Sequence, residues 1–262
     1  PRIWCPLGCR LSVSVVGIKK GSPMQPDNVL ALHNTQSGRI FMLGAGPSLI
    51  GQLPLLAKMK DHATFVCNSV PKWEDLPFTP TYYGITDVYD QRLLDRLTFP
   101  EFNGMKRFHV TWPWEEARND AFTYVEKAEE GVQMWNVGFE GFGEELPPLP
   151  TGRTTPLTNA QLAAWMGYRE FYFLGIEQTL KGYAHAPETT NNMRGLPRNT
   201  NPRYQMAVQR SFERAKADIE AAGGKIFDCT PGGLLNETGE GNQWRGIRRY
   251  TILEYVPLEE VL

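Results

Sequence analysis

No Walker-type Gly-x-x-x-x-Gly-Lys-Ser/Thr sequence occurs in this chain, and no apolar run reaches the length of a membrane span. The first absence removes the most familiar triphosphate loop. The second removes a bilayer-crossing helix. Basic excess is missing too: 27 Lys and Arg stand against 29 Asp and Glu, for a formal charge of −2. Nucleic acid is therefore not an expected partner. Cysteine is scarce, with four residues at 5, 9, 67 and 229. Cys5 and Cys9 have no second Cys/His pair at ligand spacing and read as free thiols, whereas Cys67 and Cys229 end apolar runs and read as small buried hydrophobes. The first nine residues lack the basic-then-apolar order of a secretory signal, so the expected location is cytoplasmic.

What is present is a globular composition. In 262 residues, 41% are apolar and 21% charged, enough for one large α/β domain or two small ones. Residues 1–37 read as an irregular extension, broken by Pro23, Pro26 and Asn34, with a short strand over 11–16. Residues 38–262 read as a single domain. Its strand candidates are 39–43, 63–67, 81–86, 106–110, 133–137, 170–174, 225–228 and 249–255. Helical patterns alternate with them, which predicts an α/β fold: a Rossmann-like, mostly parallel sheet with helices on both faces. Thr155-Pro156 resembles an N-cap followed by a first-turn proline. Leu162, Trp165 and Met166 then share one face, and Gly167 closes the helix. A longer helix begins at Pro202, carries Val208, Phe212, Ala215 and Ile219 on one stripe, and ends at Gly223-Gly224.

The most informative segment is Ile40-Phe-Met-Leu-Gly-Ala-Gly-Pro-Ser-Leu49. An apolar strand stops at Gly44-Ala45-Gly46, and Pro47 and Ser48 open a helix. Free N–H groups and the helix dipole converge at such a turn, which predicts a phosphate or nucleotide cradle. A tight turn without a ligand has the same residues. The dinucleotide fingerprint is incomplete, because Leu49 stands where its third glycine falls and Asn68 where an acidic ribose ligand would follow the second strand. The sheet rule gathers strand ends on one edge: the 44–48 loop, Asn68, Thr86, Asp87 and Glu177. Asn68 suits a base or ribose, or an Asx-turn. Asp87 suits a ribose hydroxyl, a metal or a proton, or a helix cap.

A polar insert of about 25 residues, around 177–202, follows the strand at 170–174 and reads as a lid. It holds Tyr183 and His185, with Arg194 and Arg198 before the next helix. His185 suits a general base, or an exposed loop position. His109 reads as a core histidine. Arg198 and its neighbours suit a phosphate, or solvent. Thr230-Pro-Gly232-Gly233 forms a second glycine loop at the same edge, able to close over a base or to turn the chain.

Several blocks together resemble the 6-hydroxymethylpterin diphosphokinase MptE-like family. They are Gly38-Arg-Ile-Phe-Met-Leu-Gly-Ala-Gly-Pro-Ser-Leu49, Phe65-Val-Cys-Asn68, Pro80-Thr-Tyr-Tyr-Gly-Ile-Thr-Asp87, Thr154 through Ile176, Gly224 through Gly233, and Val256 through Leu262. They are similar as well to bacterial sialyltransferases of glycosyltransferase family 42, which use CMP-sialic acid on a Rossmann-like fold with a lid. That resemblance implies nucleotide contacts from Asn68 and near Asp87; together with the glycine turns and helix starts read above, the candidate nucleotide site is Gly44, Ala45, Gly46, Ser48, Asn68, Thr155, Gly232 and Gly233. It implies a phosphate contact from Tyr183, which Arg198 of the same insert could aid; Asp87 and His185 are the candidate catalytic residues on their own chemistry, His185 as a lid base standing in for the family's histidine. The family loop reads Gly-Asn-Gly-Pro-Ser, and its nucleotide-contacting asparagine is Ala45 here, so that side-chain contact is lost. The family's catalytic histidine precedes an Asn-Thr pair, and against Gly195-Leu-Pro-Arg-Asn-Thr200 that position is Leu196.

The expectation is a nucleotide-dependent transferase that moves a glycosyl group from a CMP-sugar-like donor to a sugar or alcohol acceptor. Alternatives are Mg²⁺-dependent diphosphate transfer from ATP to a 6-hydroxymethylpterin-like alcohol, and non-catalytic nucleotide binding.

Overall fold

The structure, a computed structural model, describes residues 29–68, 70, 76–86, 105–111, 122–127, 149, 154–177, 202–236 and 251–262. Eight strands are present among them: β1 (Arg39–Leu43), β2 (Thr64–Cys67), β3 (Tyr82–Ile85), β4 (Lys106–Thr111), β5 (Thr123–Glu126), β6 (Glu170–Leu174), β7 (Lys225–Asp228) and β8 (Glu254–Tyr255). They form one sheet in the order β5-β4-β3-β2-β1-β6-β7-β8, and every pairing is parallel. The helices are α1 (Ser48–Leu56), α2 (Thr155–Met166), α3 (Pro202–Ala221) and α4 (Leu258–Val261). This is the expected Rossmann-like α/β architecture.

Parallel strands buried on both faces need apolar side chains in both directions. In β1, Ile40 and Met42 join a core with α2 and α3, while Phe41 and Leu43 join the opposite core with α1 and α4. The second core contains a ring ladder set by strand register. Phe41, Tyr172 and Phe227 are direct neighbours on β1, β6 and β7. Their rings stack with centroids 5.3 and 5.2 Å apart.

Helix α3 carries the predicted stripe: Val208, Phe212, Ala215 and Ile219 are all fully buried. Phe212 meets Phe173 edge-to-face at 5.2 Å. Gly223, at φ 75°, turns the chain out of the helix, and the Gly224 N–H donates to the Ile219 carbonyl at 2.8 Å.

Helix α2 departs from expectation twice. Its N-cap is Thr154 rather than Thr155, which places Pro156 one residue further into the first turn. It is also buried on every side, not along one face. Thr158, Asn159 and Gln161 are as inaccessible as Trp165. Gly167, at φ 118°, closes it as predicted. Residues 29–37, read as part of an extension, seat on that closed end. Asn34 N–H donates to the Trp165 carbonyl and Gln36 N–H to that of Met166, at 3.2 and 2.9 Å, and the His33 ring stacks on Trp165 at 4.9 Å.

Strand β5 has no counterpart among the predicted strands. The candidates at 133–137 and 11–16 lie outside the described residues, and of the described part of the 249–255 candidate, residues 251–255, Glu254–Tyr255 pairs as a strand. His109 sits in the core beside Phe122 and Tyr124, as expected. Cys67 and Cys229 are buried and take part in no disulfide. Burial pushes the Cys229 thiol well above its ordinary value, with the charge of Asp228 adding to the effect. Among the described residues no helix is long and apolar enough to cross a membrane.

Candidate ligand-binding edge

The strand order reverses between β1 and β6. In open α/β sheets the crevice at such a switch point, beyond the C-terminal strand ends, is where ligands bind. Here the loops after β1 and β6 border it, and they are laced together. Gly44 N–H donates to the Leu174 carbonyl and Gly46 N–H to that of Gly175, both at 2.8 Å. The glycines permit this approach. A Cβ on Gly44 would meet the Gly175 carbonyl oxygen and stand 2.7 Å from Ile176 Cγ2. A Cβ on Gly46 would collide with the Glu177 carboxylate.

The helix start is occupied as well. Ser48 N–H donates to Glu177 Oε1 at 2.6 Å, a short charge-assisted bond onto the first residue of α1. Ser48 Oγ is buried and has no partner. Ala45 is buried in the second core. Leu49, in place of the third fingerprint glycine, is fully buried against Gly175: a Cβ there would stand 2.7 Å from Leu49 Cγ. Close helix–strand packing, which the third glycine of the dinucleotide motif provides, is supplied here by a glycine of the neighbouring loop.

Asn68 follows β2 in the left-handed region at φ 48°. The Tyr83 hydroxyl donates to its carbonyl at 3.2 Å, while its side-chain Oδ1 is buried without a partner. An asparagine adopts this backbone more readily than most residues, so the turn half of the expectation is present, and one acceptor remains unused. Thr155, at the start of α2, is tied to the same edge. Its hydroxyl lies 2.7 Å from that of Thr86, and Lys127 Nζ reaches across β4 to donate to the Thr86 carbonyl at 3.1 Å.

On the other side of the switch point, the 229–236 loop folds around Asp228. Thr230 N–H donates to Asp228 Oδ1 at 2.9 Å and Asn236 Nδ2 to Oδ2 at 2.7 Å. Gly232 turns the loop at φ 69°, and Gly233 packs against this pair. Asp228 is fully buried, and its carboxyl is pushed up to about 7 by desolvation, with the negative charge of Glu177 adding to the rise against the donors from Thr230 and Asn236. The loop is stapled to the β6 end: Ile176 N–H donates to Thr230 Oγ1 at 3.2 Å and Leu234 N–H to the Glu177 carbonyl at 2.8 Å.

The structure therefore brings Gly44, Gly46 and Ser48 into contact with the 175–177 segment, with Ala45 between them turned into the second core, and joins that segment to the loop of Gly232 and Gly233. Asn68 and Thr155 lie at the ends of β2 and the start of α2 on the same edge. Asp87, Tyr183, His185, Leu196 and Arg198 lie outside the described residues. Among the described residues no three His, Cys, Asp or Glu side chains gather as metal ligands would. Sequence reasoning passed over Lys127 and the Asp228–Asn236 pair. The Asp-x-Thr spacing at 228–230 is an Asx-turn signal that could have marked the latter.

Fold and edge together define a protein of the Rossmann-like α/β class. No family model, curated protein or solved structure matches the chain.

Proposed function

We propose that the protein is a nucleotide-dependent transferase, and that it transfers a glycosyl group from a CMP-sugar-like donor. The observation that carries the reading is the unused buried acceptor of Asn68, held on a left-handed turn beside the glycine loop at the C-terminal edge of the sheet. Buried polar atoms in native proteins find partners, and an orphan at a sheet edge that binds ligands in this class is a place for a donor-bearing base or ribose. The resemblance to family 42 sialyltransferases favours a nucleotide sugar over other nucleotides. In this reading Asn68 and Asp87 hold the nucleoside, the 44–48 loop and Thr155 face its phosphate, Tyr183 and Arg198 stabilise the departing phosphate, and His185 deprotonates the acceptor.

Thermal-shift titrations with CMP, CMP-sialic acid, UDP-sugars and ATP, each with and without Mg²⁺, test it. A shift with CMP or a CMP-sugar is expected. A shift with ATP·Mg²⁺ alone would sink the glycosyltransferase reading in favour of diphosphate transfer. Stabilisation by a nucleotide sugar that is neither hydrolysed nor transferred would reduce the protein to a binding module.

A further inference from the structure

The glycine loop is filled from within the chain. One oxygen of the Glu177 carboxylate accepts the Ser48 N–H at 2.6 Å, and the other lies where a Cβ on Gly46 would stand. A strand–glycine–helix turn holds a phosphate oxygen in this position, on the first free amides of the helix and against a residue with no side chain. The placement is built rather than incidental. The Glu177 carbonyl is held by Leu234 N–H, and the preceding Ile176 N–H by Thr230 Oγ1. Beside the carboxylate, Ser48 Oγ is buried with no partner, so the loop keeps a hydroxyl that Glu177 does not engage.

We propose that Glu177 is an autoinhibitory occupant of the glycine loop, an internal anion that a phosphate-bearing ligand displaces to reach the Ser48 N–H. The proposal rests on the nucleotide reading above. It deepens that reading by making access to the loop conditional on movement of one side chain. Glu177 and a phosphate carry the same sign and compete for the same donor. The loop then excludes free anions until the rest of a ligand, anchored elsewhere on the edge, supplies the remaining binding free energy.

Calorimetric titration of inorganic pyrophosphate into the wild-type chain, Glu177→Gln and Glu177→Ala tests this, with the Ser48 amide followed by ¹H–¹⁵N NMR. Affinity is expected to rise roughly ten- to a hundredfold in Glu177→Ala, and by less in Glu177→Gln, which keeps a neutral acceptor for Ser48. The Ser48 resonance is expected to move on substitution and again on adding pyrophosphate. Equal affinities for wild type and a folded Glu177→Ala overturn the proposal, as does binding that leaves Ser48 unmoved. If Glu177→Ala loses its cooperative unfolding transition, the same comparison is made with Glu177→Gln. The nucleotide reading fails separately: pyrophosphate binding that rises in the variant while no nucleotide binds any of the three chains refutes that reading and leaves the internal anion standing.

Discussion

Gly84 on β3 and Asn159 on α2 share one volume. A Cβ on the glycine would fall on Asn159 Oδ1 and stand 2.6 Å from its Cγ, while Asn159 Nδ2 donates to the Val66 carbonyl at 3.4 Å. The packing of α2 against β2 and β3 thus depends on a missing methyl group. Gly84→Ala is expected to lower the unfolding free energy by about 1–3 kcal/mol, the usual cost of overpacking. Adding Asn159→Ala should recover part of that loss. Urea titrations of the four chains in a double-mutant cycle should give a coupling above about 0.5 kcal/mol. Strict additivity would show that the two sites do not touch.

Phe212 is fully buried and meets Phe173 edge-to-face, joining α3 to the centre of the sheet. Phe212→Ala should cost about 3–5 kcal/mol through lost burial and the cavity left behind. The midpoint of denaturant unfolding should fall without a change of slope. A loss below about 1 kcal/mol would mean that α3 does not pack on the sheet as described.

Asp228 links stability to pH. Burial raises its folded value to about 7 from the ordinary 3.8, so the folded state holds the proton more tightly than the unfolded chain. The stability it contributes is fully present below 3.8 and is lost as pH rises towards about 7. Asp228→Asn cannot titrate, so the wild-type-minus-variant stability difference should fall across that window and level off above it. A flat difference in urea midpoints would show that Asp228 keeps its ordinary value.

Asn68 separates binding from folding. Its φ of 48° suits glycine, so Asn68→Gly keeps the turn while deleting the orphan acceptor. Stability is expected to stay within about 0.5 kcal/mol, and nucleotide affinity to drop about tenfold. Calorimetry that finds affinity unchanged would remove Asn68 from the site.

Much of the fold was legible because strands such as β1 and β6 are continuous apolar runs and α3 carries a regular stripe. The misreadings have physical causes. Among the described residues strand β5 ends the strand order, and it reads Thr-Tyr-Val-Glu, a short alternating segment with no long apolar run. Helix α2 has polar residues at Thr155, Thr158, Asn159 and Gln161 that local pattern places on a solvent face. Partners far along the chain, Thr86 and the Val66 carbonyl among them, allow Thr155 and Asn159 to be buried. The glycine loop shows the same limit. Gly44 and Gly46 signal close approach, but nothing near them in sequence says that what approaches is Gly175 and Glu177.

Leu49 and Gly175 divide between two loops a steric allowance that the dinucleotide motif keeps in one. The division is not symmetrical. Gly175 holds φ 65°, a conformation strained for most side chains, and a Cβ there would stand 2.7 Å from Leu49 Cγ, whereas Leu49 sits within an ordinary helix. Bulk can be removed at 49 but not added at 175. Sequence change at this contact therefore has a direction: the backbone permits a smaller residue at 49, at the cost of a cavity in the second core, while exchange of the two residues is closed.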